Sequence, residues 1–193
     1  MGQVKVDSVL WRFITRGDFK SINGLHATGD GGSAKHIPLT SKDVVADFFN
    51  FTPQAGADRV INHSIDVVGV DGIPDSGEPI PLACKLDRRG GEWRIPDQHK
   101  NRYELWRPQW GFPDTNEISW RDDDDYYDEA PPIIYFIRDT DGRFHARAVP
   151  DTTQGTLNDY PSQLASAWKK SREQRNRGNF GIVDFSTDAQ ISI

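Results

Sequence analysis

The chain holds a single cysteine, a single methionine and no run of eighteen apolar residues in its 193 positions. Cys84 alone makes no intrachain disulfide and builds no cysteine-rich zinc site, which fits a reducing, cytoplasmic home. Without a long apolar run no membrane-spanning helix is expected, and the N-terminus shows neither the apolar stretch nor the small-residue cleavage site of a secretory signal. Myristoylation asks for Ser or Thr at the sixth position, where Val6 stands. No repeat and no Gly/Ser or Pro-rich linker divides the chain, so residues 1–165 are read as one unit, with 166–193 as the end of a C-terminal helix and a tail. Apolar residues make up only 36%, yet six Trp, ten Phe and five Tyr give a core large groups to form around.

The formal net charge of −6 is unevenly spread. Residues 113–129 carry eight acids against Arg121, a local −7, so the remainder sums to +1. Lys85 to Arg107 nets +3 and Trp168 to Arg177 nets +4. One basic side and one acidic loop are compatible with DNA despite the acidic total.

Patterning points to short strands and two helices. Val9 to Thr15 suits a strand with one face buried, interrupted by Arg12. A turn-rich loop follows over Ser21–Lys35, with Asn23, Gly24, Gly29, Asp30, Gly31 and Gly32, and its backbone can approach a ligand closely. Thr40 or Ser41 can cap a short helix that puts Val44, Val45, Phe48 and Phe49 on one face and plugs a sheet. Val60 to Val70 alternates with period two, and Pro and Gly over Gly72–Pro81 end it. Pro132 to Val149 reads as a hairpin turning at Asp139–Gly142, with Ile133, Tyr135 and Ile137 on one face. A last helix starts at Pro161, buries Leu164, Ala165 and Trp168, and stops at Gly178. The fold class is mainly β with short helices (α+β), a barrel-like sheet with helices closing its ends.

Catalytic chemistry finds little support. Pro74–Asp75 and Pro96–Asp97 each open a metal-dependent nuclease motif, but Lys85 is preceded by Ala83 and Cys84, Asp97 leads to His99 and Lys100 without the second acid, and Pro–Asp pairs are common turn formers. Asp122 to Asp125 lacks the alternation and the turn glycine of a calcium loop. The five histidines (His26, His36, His63, His99 and His145) lack paired zinc spacing, and His63 and His145 read as sheet surface or satisfied core. No nucleophile elbow and no phosphate loop are present. No metal or cofactor is expected.

What remains is a pair of segments, Ser21–His36 and Arg94–Trp106. The second carries Lys, Arg, Asn, Gln and Glu, whose side chains suit the donors and acceptors of base edges. On an extended strand Lys100, Arg102 and Glu104 fall on one face. A base-reading strand and an ordinary edge strand with a solvated charged face both satisfy this alternation.

The two segments resemble the N-terminal effector domain of the EcoRII-type restriction endonucleases, a DNA-binding pseudobarrel related to the plant B3 domain. The resemblance rests on Ser21-x-Asn23 leading to Ala27–Thr28–Gly29, on Ile37–Pro38 before a helix, and on Lys100-x-Arg102-x-Glu104 followed by Trp110–Gly111. It extends loosely over residues 9–149. It implies an open B3-like barrel whose two arms, about Ser21–His36 and Arg94–Arg107, enter the major groove of duplex DNA. Base contacts would come from Lys100, Arg102 and Glu104, with His36, Asn101 and Trp106 beside them. Loop and backbone contacts would come from Ser21, Asn23, Thr28, Gly31, Lys20, Lys35, Arg16, Arg88, Arg89, Arg94 and His99, and Arg12 is a further phosphate candidate. The family has His where this chain has Gly31, Tyr where it has His36, and Lys–Arg where it has Leu105 and Trp106. Arg102 and Glu104 favour a site with G·C pairs, one donating to guanine and the other accepting from cytosine.

In the resembling enzymes the module regulates a separate nuclease domain. The expectation is thus a non-catalytic, bacterial recognition domain whose residues 166–193 lead toward a catalytic part. The rival expectations are a metal-dependent endonuclease using Asp75 or Asp97, and a protein-interaction barrel.

Overall fold

A computed structural model describes residues 3–15, 18, 36–52, 60–68, 80–87, 91–96, 131–149, 154–173 and 180–192. Among these residues eight strands and three helices run in the order β1 (Gln3–Phe13), β2 (His36–Ser41), α1 (Lys42–Phe48), β3 (Val60–Val68), β4 (Ile80–Asp87), β5 (Glu92–Pro96), β6 (Ile133–Asp139), β7 (Phe144–Val149), α2 (Gln154–Leu157), α3 (Ser162–Glu173) and β8 (Phe180–Ser192). The strands form one nearly closed, barrel-like sheet in the order β2-β5-β4-β3-β7-β6-β1-β8. Its neighbours pair antiparallel, except that β3 meets β7 in parallel through Val67↔Phe144 and Val68↔His145.

Side chains alternate across the sheet and sort into two cores. Strands β1 to β7 send residues inward, among them Leu10, Ile37, Ile65, Leu82, Ile95 and Phe136. α1 enters this interior with Val45, Phe48 and Phe49, as its 3.6-residue spacing predicts. The opposite face of β1, β6 and β7 carries Trp11, Phe13, Tyr135 and Val149 and is covered by Leu157, Leu164 and Trp168 of α2 and α3. β6 is therefore buried on both faces, which explains its near-continuous apolar run Ile133–Ile137.

Local chemistry fixes the ends of these elements. α1 closes in a Schellman arrangement: Asn50 stands at φ 55°, Phe51 N donates to Ala46 O at 2.8 Å and Asn50 N to Asp47 O at 3.4 Å. The β6–β7 hairpin turns where the sequence places it, with Gly142 at φ 79° and Gly142 N donating to Asp139 O at 2.9 Å. Asp139 Oδ1 also accepts the backbone N–H groups of Asp141 and Arg143 at 2.9 and 2.8 Å.

Several expectations change. β1 is buried on both faces, not one, because β6 and β8 flank it and the two cores take its alternate residues. Strands β2, β4 and β5 arise in stretches containing Pro38, Pro81 and Pro96 that the sequence pattern does not assign to strands. Residues 180–192, read as tail, form β8 and pair along β1 from Gln3↔Ser192 to Arg12↔Phe180. A stop for the last helix at Gly178 lies outside the described residues, in which α3 runs to Glu173.

Candidate nucleic-acid interface

The two candidate arms are far apart in sequence and share a root. β2 begins at His36, the last residue of the first segment, and β5 ends at Pro96, within the second. These strands pair antiparallel with His36↔Pro96, Ile37↔Ile95 and Pro38↔Arg94. The ladder exists because Ile37, Leu39, Trp93 and Ile95 all turn into the barrel interior, where each is at most 2% exposed. Burial at this depth fixes register, since a one-residue slip would bring Arg94 inside.

The outward-facing residues of β5 and its neighbour β4 include two cations and the acid Glu92. Lys85 on β4 stands directly opposite Arg94 on β5, both half-buried. Arg94 Nη2 lies 3.4 Å from Glu92 Oε2, a loose contact, and Arg94 Nε has no hydrogen-bond partner among the described residues. Two cations facing each other across a ladder repel, and an anion placed between them removes that repulsion. Sequence reading singled out Arg94 and not its pairing with Lys85, because β4 was not recognisable as a neighbouring strand.

Arg12 does not fit the role of a phosphate contact. It is 9% exposed, lies on the inner side of β1 with Leu10, and its Nη2 donates to Asp18 Oδ2 at 2.9 Å. Asp18 in turn accepts Thr15 N at 3.0 Å, and Thr15 Oγ1 accepts Asp18 N at 3.2 Å. The guanidinium is thus committed to the turn that leaves β1.

Of the remaining site expectations, His36 is described only as backbone at the head of β2. Lys100, Arg102, Glu104, Asn101, Trp106 and His99 lie outside the described residues, as do Ser21, Asn23, Thr28, Gly31, Lys20, Lys35, Arg16, Arg88 and Arg89. Asp75, Asp97 and the acids of 113–129 do too.

No group of three or more His, Cys, Asp or Glu among the described residues could hold a metal ion, and none of their helices is long and apolar enough to cross a membrane. Burial pushes the Cys84 thiol far above its ordinary range, so it stays protonated and unreactive. His145 is a buried core residue, half satisfied: Nε2 donates to Asp139 Oδ2 at 2.8 Å and both side chains are buried, while Nδ1 has no hydrogen-bond partner among the described residues. Burial pushes the Asp139 carboxyl upward, but the hydrogen bond from His145 and those from the Arg143 and Asp141 amides outweigh it and hold the group below 3.8. That pair braces the hairpin turn. Tyr135 and Tyr160, packed edge-to-face with Trp168 at 5.6 and 4.9 Å, are raised above 10 chiefly by burial and remain neutral phenols. No known protein family and no curated protein matches the chain.

Proposed function

We propose that the chain is a sequence-specific, double-stranded DNA recognition domain, built as a B3-like pseudobarrel and non-catalytic by itself, which serves as the effector or target-recognition part of a bacterial restriction endonuclease. The β2–β5 register carries this reading. It joins the ends of two segments that sequence alone could only pair by resemblance, so side chains borne on both can reach one groove. The outward Lys85–Arg94 pair beside that root supports it, since phosphate contacts set the register of a protein on a duplex while base contacts specify the sequence. Arg102 and Glu104 are assigned to G·C pairs, and the nuclease activity to a separate domain of the parent protein.

Selection from a randomised duplex pool tests the reading directly. A recovered consensus containing G·C pairs, bound without cleavage in magnesium, is the expected result. Recovery of no consensus, together with affinity that does not change with salt, would leave the protein-interaction barrel as the better account. Cleavage lost on Asp75→Ala or Asp97→Ala would instead establish the endonuclease.

A further inference from the structure

Where β3 and β7 part, the barrel wall opens into a cleft of about 770 Å³. The two strands pair only at Val67↔Phe144 and Val68↔His145, so β3 from His63 to Asp66 has no β7 partner and forms one side of the opening. Gly142–Phe144 forms another, and Phe49–Thr52, the segment after α1, forms the third. None of the lining residues belongs to β2 or β5, although Phe51 and His63 pack against Trp93 of β5 at 4.7 and 5.4 Å between ring centroids.

Its walls combine two chemistries. Phe49, Phe51 and His63 form a stack, with Phe49 and Phe51 at 5.6 Å and 29° and Phe51 and His63 at 4.4 Å and 15°. Phe144 leans on Phe49 at 5.1 Å. Phe51, His63 and Phe144 are only half-buried, which leaves ring surface open to the cleft. At the rim Asp66 and Arg143 are exposed, and neither side chain forms an ion pair among the described residues.

From this arrangement we infer that the cleft binds one nucleotide unit, with its base stacked on the aromatic wall, its amino group donating to Asp66 and its phosphate held by Arg143. Stacking accepts any base, because every base has a π-face. A carboxylate accepts from an exocyclic amino group and repels a carbonyl, so adenine, cytosine and guanine are favoured over thymine and uracil. Arg143 supplies the charge-assisted bonds that a phosphate takes and a nucleoside lacks. The volume lies within the range of about 300–1,000 Å³ common to small-molecule sites. The unit can be a free nucleotide or an unpaired residue of a strand. The inference does not depend on the arms reading duplex DNA.

Calorimetric titration of the full chain with AMP, CMP, GMP and UMP, and with the matching nucleosides, tests it. Saturable binding is expected for the three amino-bearing nucleotides, with roughly tenfold weaker binding of their nucleosides. Arg143→Gln should erase the difference between nucleotide and nucleoside, and Asp66→Ala the preference over UMP. Both residues are exposed, and thermal unfolding is expected to show both variants folded. A duplex with one unpaired adenosine, compared with its fully paired counterpart, separates the sources: preference for the unpaired base assigns the site to a strand, and equal binding assigns it to free nucleotides. Absence of saturable binding by every mononucleotide, with no preference for the unpaired base, overturns the inference, as does binding that neither substitution changes. The duplex reading is scored separately, by selection from the randomised pool, and its failure leaves the mononucleotide titrations untouched.

Discussion

Arg138 on β6 donates from Nε to Asp7 Oδ2 at 2.6 Å, and its Nη1 reaches the carbonyl oxygens of Phe48 and Asp47 at 3.1 and 3.4 Å. One guanidinium thus ties β1 and β6 to the C-terminal end of α1, where exposed carbonyls favour a cation. Its plane also lies over the Phe48 ring, 5.6 Å from the centroid. Arg138→Met should lower stability by about 1–3 kcal/mol, the range of hydrogen bonds to charged groups. Arg138→Lys should recover only part of this, because an ammonium cannot reproduce the fork. Urea unfolding checks both, and a shift in midpoint with an unchanged slope is expected.

Trp11 covers Gly181 across the β1–β8 ladder. A Cβ built on Gly181 falls inside the van der Waals boundary of the indole ring. Gly181→Ala should therefore displace Trp11 or pry β8 from β1, costing about 1–3 kcal/mol as overpacking does. Trp11→Phe in the same chain should relieve part of that cost. Equilibrium unfolding of the two single variants and the double variant would expose the coupling as non-additivity.

Asn50 carries α1 into its left-handed closing residue, a conformation that costs most side chains about 1–2 kcal/mol. Asn50→Gly should leave stability unchanged or raise it, whereas Asn50→Val should lower it by about that amount. Thermal melts of the two variants against the parent decide the matter.

The parts of the fold legible from sequence are those in which a single periodicity sufficed. The hairpin Ile133–Val149 and the faces of α1 and α3 follow from apolar spacing alone, because each buries one stripe or one run against a neighbour. β2, β4 and β5 are proline-marked, and they are strands because they pair with one another and, for β4, with β3. β8 holds Gly181 opposite Trp11, a fit created by tertiary contact that no local propensity contains. The same limit applies to the site. Arg94 stands out as a cation near the second segment, but its meeting with Lys85 requires the β4–β5 register. Arg12 looks like any cation in a strand until its inward position sets it against Asp18.

Asp139 gives acid stability a definite sign. Its carboxyl is held below 3.8 in the folded chain, so its contribution is fully present above the unfolded value and is lost as pH falls through the folded one. Asp139→Asn should remove this contribution. The difference in urea midpoint between parent and variant should be constant at neutral pH and shrink steadily below about pH 4. A difference that persists undiminished to pH 2 would assign the stabilisation to packing instead of charge.

Arg94 and Arg102 should fail differently on DNA, and the contrast separates positioning from reading. Arg94 stands on β5 opposite Lys85, and as it is assigned to phosphate, Arg94→Gln should weaken every duplex alike and reduce the salt slope by about 1. Arg102, assigned to a guanine, should on substitution by Ala cost about 1–3 kcal/mol on the selected site and little on a random duplex. Binding isotherms for both variants on both duplexes at several salt concentrations check this. Equal losses on the two duplexes for Arg102→Ala would place that side chain against the phosphate backbone, and the base-reading role would pass to its neighbours Lys100 and Glu104.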